Sequence, residues 1–260
     1  MNRPVVVLML ALSSACGTGP APTKVPAGAP SFVVERVRRT DPACSRPVGE
    51  CAHIDLSWPQ FDGTTPLGQA LNTWSRRFLA VADPGQDTTP EPDAVAETLI
   101  TEYLDFKQRF PQSSLPYIVD RSVTLIYASD RIVTLKGLDA SYTGGAHGNE
   151  TVALASFERS SGKQLTVTDL FGIEPSQALL DLVEAAFRQA RNVPGDQSLV
   201  DAGFAFDNDR FRLPKVVGLG HDGVEFHFNP YEIAPYSMGP TTFVVSYEQL
   251  RSHLNHDFLP

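Results

Sequence analysis

The sequence has few cysteines and lacks the short motifs that mark several common kinds of enzyme. It contains 3 cysteines in 260 residues. The patterns Gly-x-Ser-x-Gly, Gly-x-x-x-x-Gly-Lys, His-Glu-x-x-His and Cys-x-x-Cys do not occur. The sequence therefore carries no signature of serine hydrolases with a nucleophile elbow, P-loop nucleotide hydrolases, zinc proteases or dithiol oxidoreductases. We expect a binding protein rather than an enzyme, with no cofactor and no metal.

Excess positive charge and long apolar runs are also missing. The formal net charge is -9, so nucleic acid is not an expected partner. An acidic surface suits a basic protein partner, although mild acidity also serves simply to keep an exported protein soluble. The apolar run at residues 5–12 is too short to span a bilayer, which takes about 20 residues.

The N-terminus has the layout of a secretory signal peptide, which we place at residues 1–15. Arg3 precedes the apolar run, and small residues follow it up to Ala15. The next residue, Cys16, ends a stretch that resembles the lipobox of bacterial lipoproteins, with the usual leucine displaced by one position. We expect lipidation of Cys16, and the alternative is simple secretion with cleavage nearby.

Residues 16–30 form the expected lipid attachment point and tether. This segment is rich in Pro, Gly and Ala, a composition that cannot bury a core. Gly17 stands where an aspartate commonly retains lipoproteins in an inner membrane. If the source has two membranes, we therefore expect the protein to be anchored to the outer one.

The remaining cysteines, Cys44 and Cys51, form an even pair once Cys16 is assigned to lipid. The stretch between them favours a turn, and disulfides persist outside the cytoplasm. We expect a disulfide that stabilises the fold by about 2 kcal/mol on a loop-entropy model. A metal site or a reactive thiol pair is the alternative.

The rest of the chain has an ordinary globular composition, with 42% hydrophobic and 20% charged residues. Apolar periodicity predicts strands, then helices that begin at Thr65-Pro66 and Thr89-Pro90, then more strands, a helix after Ser176 and three final strands. The fold class we predict is α+β, an antiparallel β-sheet covered by helices. We divide it into an N-terminal α+β part at residues 31–115 and a C-terminal sheet with helices at residues 116–260.

A glycine-rich stretch lies between two predicted strands and surrounds His147. Glycines there allow positive φ angles or the close approach of another chain. His147 could act as a general base or ligand, or it could only fasten the loop. The candidate binding residues of this stretch are Tyr142, Gly144, Gly145, His147, Gly148 and Asn149.

A second unusual stretch, residues 229–240, is aromatic and contains three prolines. Proline reduces the entropy lost when a loop is fixed, and exposed tyrosines supply contact area with little rotamer loss. A binding loop has these features, and so does a proline-braced connection packed on the sheet. The candidate binding residues here are Tyr231, Glu232, Pro235 and Tyr236.

Glu225 and His227 lie two residues apart in a predicted strand, so their side chains share one face. Two ligands alone do not define a metal site, and we interpret this face as polar and solvated.

Both unusual stretches resemble the extracytoplasmic domain of RsiV-like proteins, which is shared with the region before the catalytic domain of PdaC-type peptidoglycan deacetylases and with secreted mycobacterial immunogenic proteins. The resemblance is carried by Tyr142-Thr143-Gly144-Gly145-Ala146-His147-Gly148 and by Phe226-His227-Phe228-Asn229-Pro230-Tyr231-Glu232-Ile233-Ala234-Pro235-Tyr236. The family includes a lysozyme receptor. The resemblance therefore implies an RsiV-like fold and a binding surface, whereas fold alone does not fix the ligand.

Two hypotheses follow. The first is an envelope binding protein for a lysozyme-like or other basic envelope protein, or for peptidoglycan itself. The second is a hydrolase or metal-dependent envelope enzyme built around His147, which would need His147 exposed in a concave pocket beside a carboxylate or nucleophile.

Overall fold

A computed structural model describes residues 26–45, 51–81, 89–113, 115 and 117–259. The expected signal peptide, Cys16 and most of the tether lie outside the described residues. Within the described part, the first sheet consists of β1 (Phe32–Thr40), β2 (His53–Phe61), β3 (Ile118–Ala128), β4 (Ile132–Tyr142) and β5 (Asn149–Glu158).

The first sheet has the strand order β1-β2-β3-β4-β5. Its pairs are antiparallel except for β2 and β3, which run parallel. Parallel neighbours need a long crossover, and two helices supply it here: α1 (Pro66–Ala80) and α2 (Pro92–Arg109). The predicted α+β class is confirmed, and the expectation of a purely antiparallel sheet is corrected at this one pair.

Helix α1 begins as its sequence predicts. The Thr65 side chain accepts a hydrogen bond from the Gly68 amide, and Pro66 occupies the first turn. On the inner face, the Phe78 ring packs so closely on Gly137 of β4 that a Cβ there would lie 2.7 Å from it. This contact holds α1 tightly against the sheet.

Helix α2 begins two residues later than the start predicted at Thr89-Pro90. Its N-cap is Glu91, whose backbone is extended at φ -67° and ψ 148°. The reason is Pro92, because a residue that precedes proline is pushed out of the helical region. A helix that started at Pro90 could not have continued through Glu91.

The second half of the chain forms a smaller antiparallel sheet with its own helices. In the described residues its sheet has the order β6-β7-β8, from β6 (Val216–Leu219), β7 (Gly223–Phe228) and β8 (Thr241–Ser246). The helices are α3 (Val167–Phe171), α4 (Gln177–Arg191) and α5 (Tyr247–Leu250). Phe187 of α4 lies at the centre of the core and makes edge-to-face contacts with Phe204 and Phe228.

The two sheets pack against each other through the outer face of β4 and β5. Ser156 on β5 accepts a hydrogen bond from the Leu219 amide at 2.9 Å and bonds Thr134 at 2.9 Å. Lys136 on β4 forms an ion pair with Glu225 on β7 at 3.0 Å. The division expected at residues 115/116 cuts through the first sheet, because β3 pairs with β2. The two sheets separate after β5 instead.

The predicted disulfide between Cys44 and Cys51 is present, with their Cα atoms 5.8 Å apart. It closes the connection between β1 and β2. Among the residues that the structure describes, no helix combines the length and apolar character needed to cross a membrane.

Candidate functional site

The two unusual sequence stretches meet in space at a cluster of three aromatic rings. His147 stacks on Tyr236 with ring centroids 3.7 Å apart and an angle of 13° between the planes. His147 Nε2 also lies 3.0 Å from the Tyr231 hydroxyl. We call His147, Tyr231 and Tyr236 the aromatic junction. It joins the β4–β5 loop to the β7–β8 loop, although 84 residues separate His147 from Tyr231.

The β4–β5 loop presents His147 through a turn that needs glycine. Gly144 and Gly145 have φ angles of +101° and +111°, which L-residues with side chains rarely adopt. The Tyr142 hydroxyl donates to the Gly145 carbonyl at 2.9 Å and braces the turn. As a result the His147 side chain lies exposed at the tip of the hairpin.

The β7–β8 loop presents the two tyrosines from a partly buried support. Ile233 between them is 2% exposed and belongs to the phenylalanine-rich core. Tyr231 is 63% exposed and has a φ of +66°, a left-handed conformation that is strained for a residue with a Cβ. The loop is therefore packed on the sheet, open at Tyr231 and half-buried at Tyr236, so it combines the two alternatives that the sequence left open.

The hydrogen bonds of His147 fix its tautomer. Nδ1 lies 2.8 Å from the Gly148 carbonyl, which can only accept, so Nδ1 carries a proton. In the neutral ring Nε2 then accepts from the Tyr231 hydroxyl. Both ring nitrogens are thus engaged, and the ring face is covered on one side by Tyr236. The arrangement holds the three rings in one preformed geometry.

A partly buried polar cluster at the base of the β7–β8 loop anchors this loop, and we call it the polar seam: His227, Asn229, Thr242 and the backbone of Val152. The Asn229 side chain accepts from the Val152 amide at 2.7 Å and donates to the Val152 carbonyl at 3.0 Å. His227 bonds Thr242 at 2.6 Å and Asn229 at 3.2 Å. The seam ties the end of β7 to the start of β5.

The interpretation of Glu225 and His227 as a solvated face is wrong. His227 is 2% exposed, and Glu225 pairs with Lys136, because this face of the small sheet packs against β4 and β5. Burial lowers the pKa of His227, with the nearby Lys136 charge acting in the same direction. Within the described part of the chain, no group of three or more His, Cys, Asp or Glu side chains is placed to hold a metal ion.

The other predicted site residues have different roles. Asn149 donates to Thr151 at 3.4 Å, along its own strand. Glu232 bonds the Asn229 amide at 3.1 Å and pairs with Arg212 at 3.3 Å, so it shapes the loop rather than entering the ring cluster. Pro235 is exposed directly before Tyr236.

An acidic depression of about 300 Å³ lies beside the junction. Glu150, Pro230 and Tyr236 are among its lining residues. The enzyme hypothesis needed His147 exposed beside a carboxylate or nucleophile. His147 is exposed, but its hydrogen-bond partners in the described structure are a carbonyl and a phenol.

Sequence reasoning missed Asn229 and Glu150 as parts of the site. Asn229 stands in an Asn-Pro pair, which is a turn signal that could have drawn attention to it. Glu150 carried no signal, since its position depends on the register of β5 with β4.

Two family models match consecutive parts of this chain. Residues 48–150 match the family described as deacetylase PdaC, and residues 168–248 match the protein family of unknown function DUF3298. The first match contains His147 and the second contains Tyr231 and Tyr236. Each of the two matched segments therefore contributes residues to the aromatic junction.

Two solved structures share the fold. A DUF3298 family protein from Pseudomonas aeruginosa PAO1 is 19% identical with a TM-score of 0.64, over 88% of this chain and 97% of that one. A DUF3298 family member from Bacteroides fragilis NCTC 9343 is 20% identical with a TM-score of 0.66, over 88% and 95%. No curated protein matches the chain significantly.

The order of the two matches and the shared fold confirm the family resemblance drawn from the sequence. An extracytoplasmic family and the Cys44–Cys51 disulfide identify an exported protein. Over residues 48–150 and 168–248, the chain matches the PdaC/DUF3298-type family of extracytoplasmic domains.

Proposed function

We propose that this exported protein is an envelope lipoprotein that binds a basic, lysozyme-like or other peptidoglycan-active protein through the aromatic junction. The observation that carries the proposal is the stack of His147 on Tyr236 with the bond from Tyr231. Exposed aromatic rings held in one geometry supply contact area without a large entropy loss on binding.

Charge supports a basic partner. The chain has a net charge of -9, and removal of the signal peptide with Arg3 makes it -10. Glu150 lies in the depression beside Tyr236. Opposite charge around an aromatic contact raises the association rate and disfavours acidic partners.

The test uses the exported chain with Cys16→Ala, so that no lipid is attached, in pulldown and muramidase-inhibition assays with c-type lysozyme at physiological salt. We expect binding that Tyr236→Ala weakens by at least about tenfold, as for a central aromatic contact. The matched control is Phe110→Ala, since Phe110 is another exposed ring, 54% exposed, at the end of α2. Equal losses in both variants, or no binding at tens of micromolar, would contradict the proposal.

The lipid anchor is a separate part of the proposal. The lipobox-like stretch ending at Cys16 supports it, and Gly17 favours the outer membrane if the source has two. Metabolic labelling with an alkyne fatty acid should mark the wild-type chain and not Cys16→Ala. A label that persists in the variant would place the lipid elsewhere.

A further inference from the structure

A second surface feature lies far from the aromatic junction, on the helix side of the first sheet. It is an open groove of about 530 Å³ between α1 and the end of β5. The groove exists because α1 and α2 lie over the other strands and leave the edge strand β5 partly uncovered. The turn after β5 closes one end, where Gly162 approaches Pro66 so closely that a Cβ would lie 2.6 Å from its carbonyl.

The floor of this groove is aromatic. Trp74 lines it beside Phe157, which is itself buried at 2% exposure, and Trp74 stacks on Phe78 with centroids 5.6 Å apart and planes 13° from parallel. Trp74 is half-buried, whereas the chain's other tryptophan, Trp58, is 7% exposed and bonds Gln60. Trp74 therefore offers an indole ring to a ligand, and Trp58 does not.

The rim of the groove is polar but carries no acid. Among the described residues, the Trp74 indole N–H, the Thr73 hydroxyl and the Gln164 amide have no hydrogen-bond partner within the protein. Arg77 and Lys163 are the charged lining residues, and Lys163 is paired with Asp169 at 2.5 Å. The lining residues thus offer neutral hydrogen bonds and no carboxylate to hold a cationic ligand.

We propose that this groove binds an oligosaccharide that is not cationic. A sugar ring presents an apolar C–H face, which packs on an aromatic ring, and a polar edge of hydroxyl and acetamido groups. The Trp74 ring provides the first surface, and Thr73 with Gln164 provides donors and acceptors for the second. A site that combines an aromatic surface with a few placed polar groups is usual for small-molecule ligands.

The two tryptophans make a direct test possible. The probe is the β-1,4-linked tetramer of N-acetylglucosamine, titrated into the exported chain with Cys16→Ala while tryptophan fluorescence is recorded. We expect a saturable change that persists in Trp58→Phe and disappears in Trp74→Phe. A change carried by Trp58, or none in the Trp58→Phe variant, would overturn the proposal.

Calorimetry measures affinity independently of fluorescence. We expect Trp74→Phe to weaken sugar binding by at least about fivefold and Gln164→Ala by about threefold to tenfold. The matched control is Gln189→Ala, an exposed glutamine on α4, which should bind as the wild type does. The cationic glucosamine tetramer should bind more weakly than the acetylated one. Unchanged affinity in Trp74→Phe, with wild-type circular dichroism, would contradict the assignment of the groove.

Sugar binding at the groove and protein binding at the aromatic junction can be tested separately. Tyr236→Ala should bind the sugar normally, because Tyr236 lies at the other end of β5 and on the opposite face of the sheet. Loss of sugar binding in Tyr236→Ala would mean that the groove is not a distinct site.

Discussion

His147 and His227 both contact the β7–β8 loop, but their surroundings differ. His147 in the aromatic junction is exposed, and its partners are the exposed Tyr231 and the half-buried Tyr236. His227 in the polar seam is 2% exposed, and its partners are Thr242 and Asn229. Each ring has both nitrogens hydrogen-bonded, so the difference lies in burial and not in the number of bonds.

This difference in burial shows how the loop can hold an exposed tyrosine on a strained backbone. The seam holds Asn229 on the backbone of Val152, which is 5% exposed, and satisfies both of its polar groups. Two residues further on, Tyr231 has a left-handed backbone that costs about 1 to 2 kcal/mol. The partly buried seam stabilises the loop enough for the junction to keep this conformation.

The largest effect is expected in the seam, from Asn229→Ala. This change leaves the buried amide and carbonyl of Val152 without partners and removes one bond of His227. We expect the free energy of unfolding to fall by about 2 to 4 kcal/mol, measured by urea denaturation.

The control is Asn149→Ala at the edge of the junction loop, where the side chain is exposed and makes one long bond to Thr151. Its effect should stay within about 0.5 kcal/mol. If the two variants lost equal stability, the division between a stabilising seam and an exposed junction would be wrong.

The fold was predictable where local chemistry decides it. Helix α1 begins after Thr65, with Pro66 in its first turn, and α4 begins after Ser176. The Thr65 and Ser176 side chains each accept a hydrogen bond from the first turn of the helix, as the sequence predicts. The parallel pairing of β2 with β3 was not predictable, because it depends on where α1 and α2 return the chain.

The candidate site was predictable in part for the same reason. The two stretches could be recognised from glycine, proline and aromatic composition, but their meeting depends on the packing of two sheets. The alternation of polar and apolar residues around His227 correctly predicted that its side chain lies on the other face of β7 from Phe226 and Phe228. Both faces of β7 are covered, however. Period-two patterns tell which residues share a face and not what lies on it.

A smaller effect in the seam is a dependence of stability on pH. Burial lowers the pKa of His227 below its ordinary 6.5. The charge of Lys136 on β4 lowers this pKa further, whereas the charges of Glu225 and Glu232 raise it. The unfolded chain then binds a proton at His227 more readily than the folded one. Stability is therefore fully present above about pH 6.5 and is lost as the pH falls from there through the lowered pKa.

Urea denaturation between pH 5 and pH 8 measures this dependence. His227→Gln keeps a polar side chain but removes the titration, so its stability should vary less across the window than that of the wild type. A pH profile as steep in His227→Gln as in the wild type would contradict the assignment of the titration to the seam.

The smallest change in stability is expected in the junction, from Tyr231→Gly. Glycine adopts the φ of +66° without strain, which offsets the lost hydrogen bond to His147 and the contact with the Tyr236 ring at 5.7 Å. We expect unfolding free energy to stay within about 1 kcal/mol of the wild type, measured by urea denaturation, while binding of the basic partner weakens by at least about tenfold. A loss of stability as large as that of Asn229→Ala would instead make Tyr231 part of the seam, since a residue kept for binding should cost the fold little when it is removed.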